Sequence, residues 1–152
     1  MNKIFLMVLV FLASNQAAIS NDDVEYYIER GRDYERQISG SISQFEQYRQ
    51  EIINASAQGK ISCGAIEQAI LILARMTDTC KHAIKNYKRL IKQLDSNSPY
   101  FNSKAREIRE WIENWIFQYE DLAKNYNTRR MDLYHFCPNS RLNLEELPST
   151  IN

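Results

Sequence analysis

The sequence predicts an all-α fold, an elongated antiparallel three-helix bundle that packs in the manner of a coiled coil. Three stretches carry apolar residues at alternating spacings of three and four, the heptad pattern of helices that pack along their whole length. Two short breaker segments separate these stretches, so the helices must run up, down and up. One disulfide and a short C-terminal tail that packs back onto the bundle complete the predicted architecture.

The first twenty residues form a segment of a different kind. Lys3 precedes an unbroken apolar run over residues 4–13, and Ala18-Ile19-Ser20 places small residues where a signal peptidase cleaves. Such a run is too short to cross about 30 Å of hydrocarbon as a stable helix. We therefore predict a cleavable signal peptide over residues 1–20 and no stable membrane anchor after cleavage. The protein is then secreted, or periplasmic if its source is a Gram-negative bacterium.

The first predicted helix spans about residues 22–58 and follows Asn21, a favoured N-cap residue. Gly59 stands where helices commonly end with glycine. Asn54-Ala55-Ser56 is an N-glycosylation sequon, which has meaning only if the source is a eukaryote. The seam of this helix keeps the three–four rhythm at Val24, Tyr27, Gly31, Tyr34, Ile38, Ser41, Phe45, Tyr48, Ile52 and Ala55.

The second predicted helix spans about residues 63–95 and has the most regular seam. That seam consists of Ile66, Ala69, Leu73, Met76, Cys80, Ala83, Tyr87, Leu90 and Leu94. Residues 70–73 are apolar on every side of the helix, and a helix of this kind is normally buried. Either the C-terminal tail or another protein must therefore cover Leu71.

The third predicted helix spans about residues 101–136, after a breaker that ends at Pro99 and before Pro138. Its seam is rich in aromatic residues: Phe101, Ala105, Ile108, Ile112, Trp115, Tyr119, Leu122 and Tyr126. The bundle then covers residues 21–137 and the tail covers residues 138–152. Cys137-Pro138 with Leu142, Leu144 and Leu147 resembles the C-terminal segment of small helical periplasmic immunity proteins, over about a tenth of the chain.

Hairpin geometry selects one cysteine pair. A turn centred near residues 97–98 places Cys63 level with a residue near 132, within two helical turns of Cys137. Cys80 is far from both of them. We therefore predict a disulfide between Cys63 and Cys137, which closes a loop of about 75 residues and stabilises the fold by roughly 3–4.5 kcal/mol.

Cys80 is predicted to be a buried free thiol that acts as a small hydrophobic residue. The same register places it level with Trp115 on one side and with Gly40 on the other. We expect Gly40 and Ser41 to leave room for the indole at the centre of the core. A catalytic thiol needs a base and partial exposure, and this position supplies neither.

The sequence lacks the motifs of the common catalytic and cofactor-binding sites. It contains two histidines, and their spacing from cysteines and carboxylates is not that of a metal site. Neither a Gly-x-Ser-x-Gly motif nor a phosphate-binding loop is present. Nineteen basic residues balance nineteen acidic ones, whereas a nucleic-acid-binding protein would carry a basic surplus. We expect no enzyme activity, no metal, no cofactor and no nucleic-acid partner.

These observations favour an exported, non-enzymatic protein-binding protein, such as an immunity or inhibitor protein or a secretion-system component. The candidate interface residues are Phe117, which lies at the outermost position of its helix, with Ile53 and Leu71. The alternative is a carrier of a small apolar ligand within the bundle. A carrier needs a cavity of about 300 Å³ or more, whereas unbroken heptads predict a filled core. A homodimer is a third alternative.

Overall fold

The predicted all-α three-helix bundle is confirmed by a computed structural model that describes residues 21–94 and 99–151. The observed boundaries lie within two residues of the predicted ones: α1 spans Asn21–Ala57, α2 spans Cys63–Leu94 and α3 spans Pro99–Phe136. The predicted signal peptide, residues 1–20, lies outside the described residues.

Helix α2 is the central helix of the molecule. All nine predicted seam residues of α2 are buried, and so are several residues on its flanks, including Ile70, Thr77 and Asn86. Helices α1 and α3 both pack on α2, yet no described Cα atom of α1 lies within 8 Å of one of α3. The bundle is therefore open along the side between α1 and α3. The heptad pattern does not predict this open side.

The N-terminal half of α1 is held tightly against α2 at Gly31. A Cβ atom at Gly31 would lie 1.7 Å from the Tyr87 hydroxyl oxygen, so a side chain there would prevent this close approach. Next to this contact, the buried amide of Asn86 donates a hydrogen bond of 2.9 Å to the Tyr27 carbonyl. The predicted place of Gly40 in the core is wrong, because Gly40 is exposed and a Cβ atom added there would meet no other atom within 4 Å.

The turn after α1 follows the chemistry of its sequence. Gly59 adopts a left-handed conformation with φ of 67°, which a residue with a side chain rarely takes. The backbone N–H groups of Gly59 and Lys60 donate to the carbonyls of Ser56 and Ala55, both at 2.9 Å. This Schellman arrangement satisfies the last carbonyls of α1 and turns the chain toward α2.

The predicted disulfide between Cys63 and Cys137 is present, with a Cα–Cα distance of 5.8 Å. It joins the first residue of α2 to the residue that follows α3. The chain from α2 through α3 is therefore a covalently closed loop, and α1 lies outside that loop.

The tail packs back on the bundle and follows α3 toward its N-terminal end. Asn127 binds the backbone of Leu147 with two hydrogen bonds, one donated by Nδ2 at 2.8 Å and one accepted by Oδ1 at 2.9 Å. The hydroxyl of Tyr119 donates to the Pro148 carbonyl at 3.0 Å. The tail's leucines pack against a buried cluster that includes Leu133: these are Leu142, Leu144 and Leu147.

Candidate binding groove

The open side of the bundle forms a groove between α1 and α3. Three cavities of about 820, 350 and 230 Å³ follow one another along it. Phe45 lines both the first and the second cavity, while Ile52 and Arg129 line both the second and the third. We call the whole feature the α1–α3 groove, and its largest cavity the wide section.

The wide section has walls from two helices and a floor from the third. Leu73 and Met76 of α2 form the floor, and both are buried. Residues 35–46 of α1 and 111–125 of α3 supply the walls. At 1.5 Å rise per residue these walls are about 17 and 21 Å long, the length of three to four helical turns. Their main apolar side chains are Ile38, Ile42, Phe45, Trp111, Trp115 and Phe117.

Exposed apolar side chains concentrate along this groove. Five of the exposed large apolar residues in the described chain line it: Ile42, Ile53, Ile61, Phe117 and Phe136. Phe117 has 73% of its surface exposed, more than any other residue of this group. Contiguous exposed apolar surface is typical of an interaction site.

The structure brings together two of the three interface residues expected from the sequence. Phe117 lines the wide section and Ile53 lines the adjacent cavity. Leu71 does not line the groove. It keeps 38% of its surface exposed with the tail in place, so the tail buries its neighbour Ile70 rather than Leu71 itself.

Sequence reasoning missed three groove residues, Ile42, Ile61 and Phe136. All three are exposed apolar residues that lie outside the predicted seams. That shared property is also what identified Phe117 and Ile53. Position outside a seam, applied to every apolar residue, would have listed all five together with buried residues such as Ile28.

The rim of the wide section is acidic. Glu35, Glu46 and Asp121 line this cavity, and no Lys, Arg or His does. Glu46 pairs with Arg49 at 2.8 Å, but no described residue forms an ion pair with Glu35 or Asp121. Two carboxylates beside exposed apolar surface are therefore left without a cationic partner.

The other two cavities carry cations that are mostly neutralised within the chain. Arg129 lines both cavities and pairs with Asp132 at 3.0 Å. Arg49 pairs with Glu46, as described above, and Lys60 lies at the turn that ends the groove. The uncompensated charge of the α1–α3 groove is thus negative in its wide section.

Cys80 lies on the core side of the groove and is fully buried, in the same cluster as Trp115. Burial raises the pKa of the Cys80 thiol to about 12, because the thiolate would lose its hydration. The thiol is therefore protonated at neutral pH and shielded from solvent. This environment is that of a packing residue rather than of a nucleophile.

Other kinds of site are not found in the described part of the chain. Within residues 21–94 and 99–151, no group of three His, Cys, Asp or Glu side chains is placed to hold a metal ion. None of the helices described there has an apolar stretch long enough to span a bilayer. Comparisons with protein-family models, curated proteins and solved structures find no match to this chain.

Proposed function

We propose that this chain is an exported, non-enzymatic protein-binding protein whose interface is the α1–α3 groove. One observation carries the proposal: apolar side chains from two helices, led by Phe117, converge on an open groove and remain exposed. Burying such surface against a partner is the main favourable term in association. Immunity proteins, inhibitors and secretion-system components are the kinds of protein that fit this activity.

Two observations support export. The Cys63–Cys137 disulfide is compatible with an oxidising compartment, where such bonds persist. Residues 1–20 have the sequence pattern of a cleavable signal peptide. N-terminal sequencing of the protein recovered from its source tests this part of the proposal, and we expect the mature chain to begin near Asn21.

Site-specific photo-crosslinking in the source organism tests the interface. A photoreactive amino acid replaces Phe117 or Ile53 in the groove, and Tyr26 serves as the matched control. Tyr26 is 57% exposed but does not line the groove. We expect one discrete adduct with another protein from both groove positions and none from Tyr26. No adduct from either groove position would contradict the proposal.

A carrier of a small apolar ligand is the second candidate function. The volume of the wide section, about 820 Å³, supports it, because it exceeds the roughly 300 Å³ that a ligand site needs. The open side counts against it, because ligand sites usually enclose most of their ligand. Fluorescence of Trp111 and Trp115 during titration with fatty acids separates the two functions: a saturable change supports the carrier.

A further inference from the structure

We infer that the wide section takes an amphipathic α-helix of another protein, with Lys or Arg flanking the apolar face of that helix. The inference rests on the proposed function, that the α1–α3 groove binds protein, and adds the class of partner. It follows from the shape of the groove, from its backbone and from its charge.

The shape of the wide section fits a helix of three to four turns. The walls α1 and α3 run parallel to each other, and the floor α2 runs antiparallel between them. A fourth helix on this side would contact both walls, as neighbouring helices do in a four-helix bundle. Its apolar face would cover Ile42 on one wall and Phe117 on the other.

The backbone of the walls favours a helix over an extended peptide. Residues 35–46 and 111–125 are helical throughout, so their backbone groups are already hydrogen-bonded within α1 and α3. An extended peptide in the groove would find no backbone partner there and would have to replace its hydrogen bonds to water with side-chain partners, as the tail does with Asn127. A helix satisfies its own backbone and avoids this cost.

The charge of the wide section favours Lys or Arg beside the apolar face of the bound helix. Glu35 lies on one wall and Asp121 on the other, and neither has an ion-pair partner among the described residues. Lysines or arginines beside the apolar face of the bound helix would meet these two carboxylates. Acidic flanks would place like charges together, which complementary interfaces avoid.

Two segments of this chain are poorer candidates for the groove. Residues 1–20 are predicted to be removed as a signal peptide, so they would be absent from the mature chain. In a second copy, the cationic face over residues 81–92 of α2 contains no exposed large apolar side chain. Two grooves placed face to face would meet as concave surfaces. These comparisons favour a different protein as the occupant.

A displayed peptide library tests the inference. Each peptide is a 14-residue helix with a fixed apolar face, and its flanking positions encode Lys or Glu at equal frequency. The full chain is the bait. We expect Lys to be enriched at the flanks, and we expect a Glu35→Lys/Asp121→Lys bait to enrich Glu instead. A selected Lys-rich peptide should lose about tenfold in affinity for this variant, measured by fluorescence anisotropy at low salt.

The control variant is Glu25→Lys/Asp78→Lys, which changes the net charge equally at two exposed positions outside the groove. It should keep the preference of the wild-type chain for Lys-rich peptides. Circular dichroism of every variant should match the wild type, since all four substituted side chains are exposed.

Three results would overturn the inference, and they differ in what they leave standing. In the first result, the wild-type bait recovers Lys-rich and Glu-rich peptides equally, and an Ile42→Asp/Phe117→Asp bait recovers neither. This result would refute the cationic partner and leave protein binding in place. In the second result, the wild-type bait enriches no peptide relative to that variant bait, which would refute the proposed function as well. A dimer that forms with the wild type and is broken by Phe117→Asp would assign the groove to a second copy.

Discussion

Gly31 and Gly40 lie in the same helix, yet the space around them is different. Gly31 is buried against the hydroxyl of Tyr87, whereas Gly40 is exposed with open space around it. The seam of α1 predicted Gly31 as an inward residue. It did not predict that Gly31 would lie directly against a tyrosine hydroxyl, because that depends on which side chain of α2 stands opposite.

The first prediction concerns these two glycines. Gly31→Ala should lower the free energy of unfolding by about 1–3 kcal/mol, since the added methyl group forces Tyr87 or the whole helix to move. Gly40→Ala should raise it by about 0.5–1 kcal/mol, since alanine favours a helix and meets no atom there. Urea denaturation followed by circular dichroism measures both. A Gly31→Ala variant as stable as the wild type would show that the helices are not in close contact at this point.

The second prediction concerns stability at high pH. Burial raises the pKa of both Cys80 and Tyr87 to about 12, from ordinary values of 9.0 and 10.0. Above pH 9 the unfolded chain therefore releases protons that the folded chain still holds, and the free energy of unfolding falls as pH rises toward 12. Below pH 9 both states keep these protons, so the two groups do not reduce the free energy of unfolding there.

Cys80→Ala should make this decline shallower. The difference in slope between wild type and variant should reach up to about 1.4 kcal/mol per pH unit above pH 9. Urea denaturation at a series of pH values measures the two slopes, and the slopes are compared because the substitution itself lowers stability at every pH. Parallel curves would contradict the burial of the thiol.

At the scale of elements, periodicity predicted α2 best. All nine of its seam residues are buried, because α2 has neighbours on several sides and any inward residue finds a partner. The seam of α1 predicted burial less completely. Its seam residues after Ile38 are only half-buried, since α1 packs on α2 alone and has no helix on its other side. A seam shows which face points inward but not how many neighbours cover it.

The third prediction concerns how the tail is held. Asn127→Ala removes two hydrogen bonds to the backbone of Leu147 and should lower the free energy of unfolding by about 1–3 kcal/mol, because both the N–H and the carbonyl of this half-buried residue lose their partner. Asn125→Ala is the matched control, since its exposed amide bonds only within α3 at Asp121. Amide hydrogen exchange at Leu147 should accelerate in the Asn127 variant alone. Equal exchange in both variants would mean that other contacts hold the tail.

At the scale of the whole molecule, the groove was the feature that the sequence did not predict. Phe117 and Ile53 were identified one at a time as apolar residues outside the seams. Their convergence depends on how far α1 and α3 are rotated about α2, and heptad spacing carries no information on that angle. The cationic stretch of α2 over residues 81–92 can be read from the sequence, but the balanced net charge gave no sign of the acidic wide section.

The fourth prediction concerns how stability is distributed over the molecule. The backbone amides of α2 should exchange slowest, and those of α1 after Ile38 should exchange faster than those before it. Residues 39–57 contain no buried side chain, whereas the earlier half of α1 has Val24, Ile28, Gly31 and Ile38 buried. Regions with few buried contacts open at lower free energy. Native-state hydrogen exchange measures this order, and uniform protection along α1 would contradict it.

The disulfide has a topological consequence for the two walls of the groove. Wall α3 and floor α2 belong to a ring closed between Cys63 and Cys137, so a single backbone cut inside the ring leaves them joined. Wall α1 is an arm attached to that ring by one turn at Gly59 and by noncovalent packing. Wall α3 is thus covalently bound to the floor at both ends, whereas wall α1 is covalently bound to it at one end only. Because residues 39–57 of α1 contain no buried side chain, a tilt of this part of α1 would change the width of the groove and leave the ring unchanged.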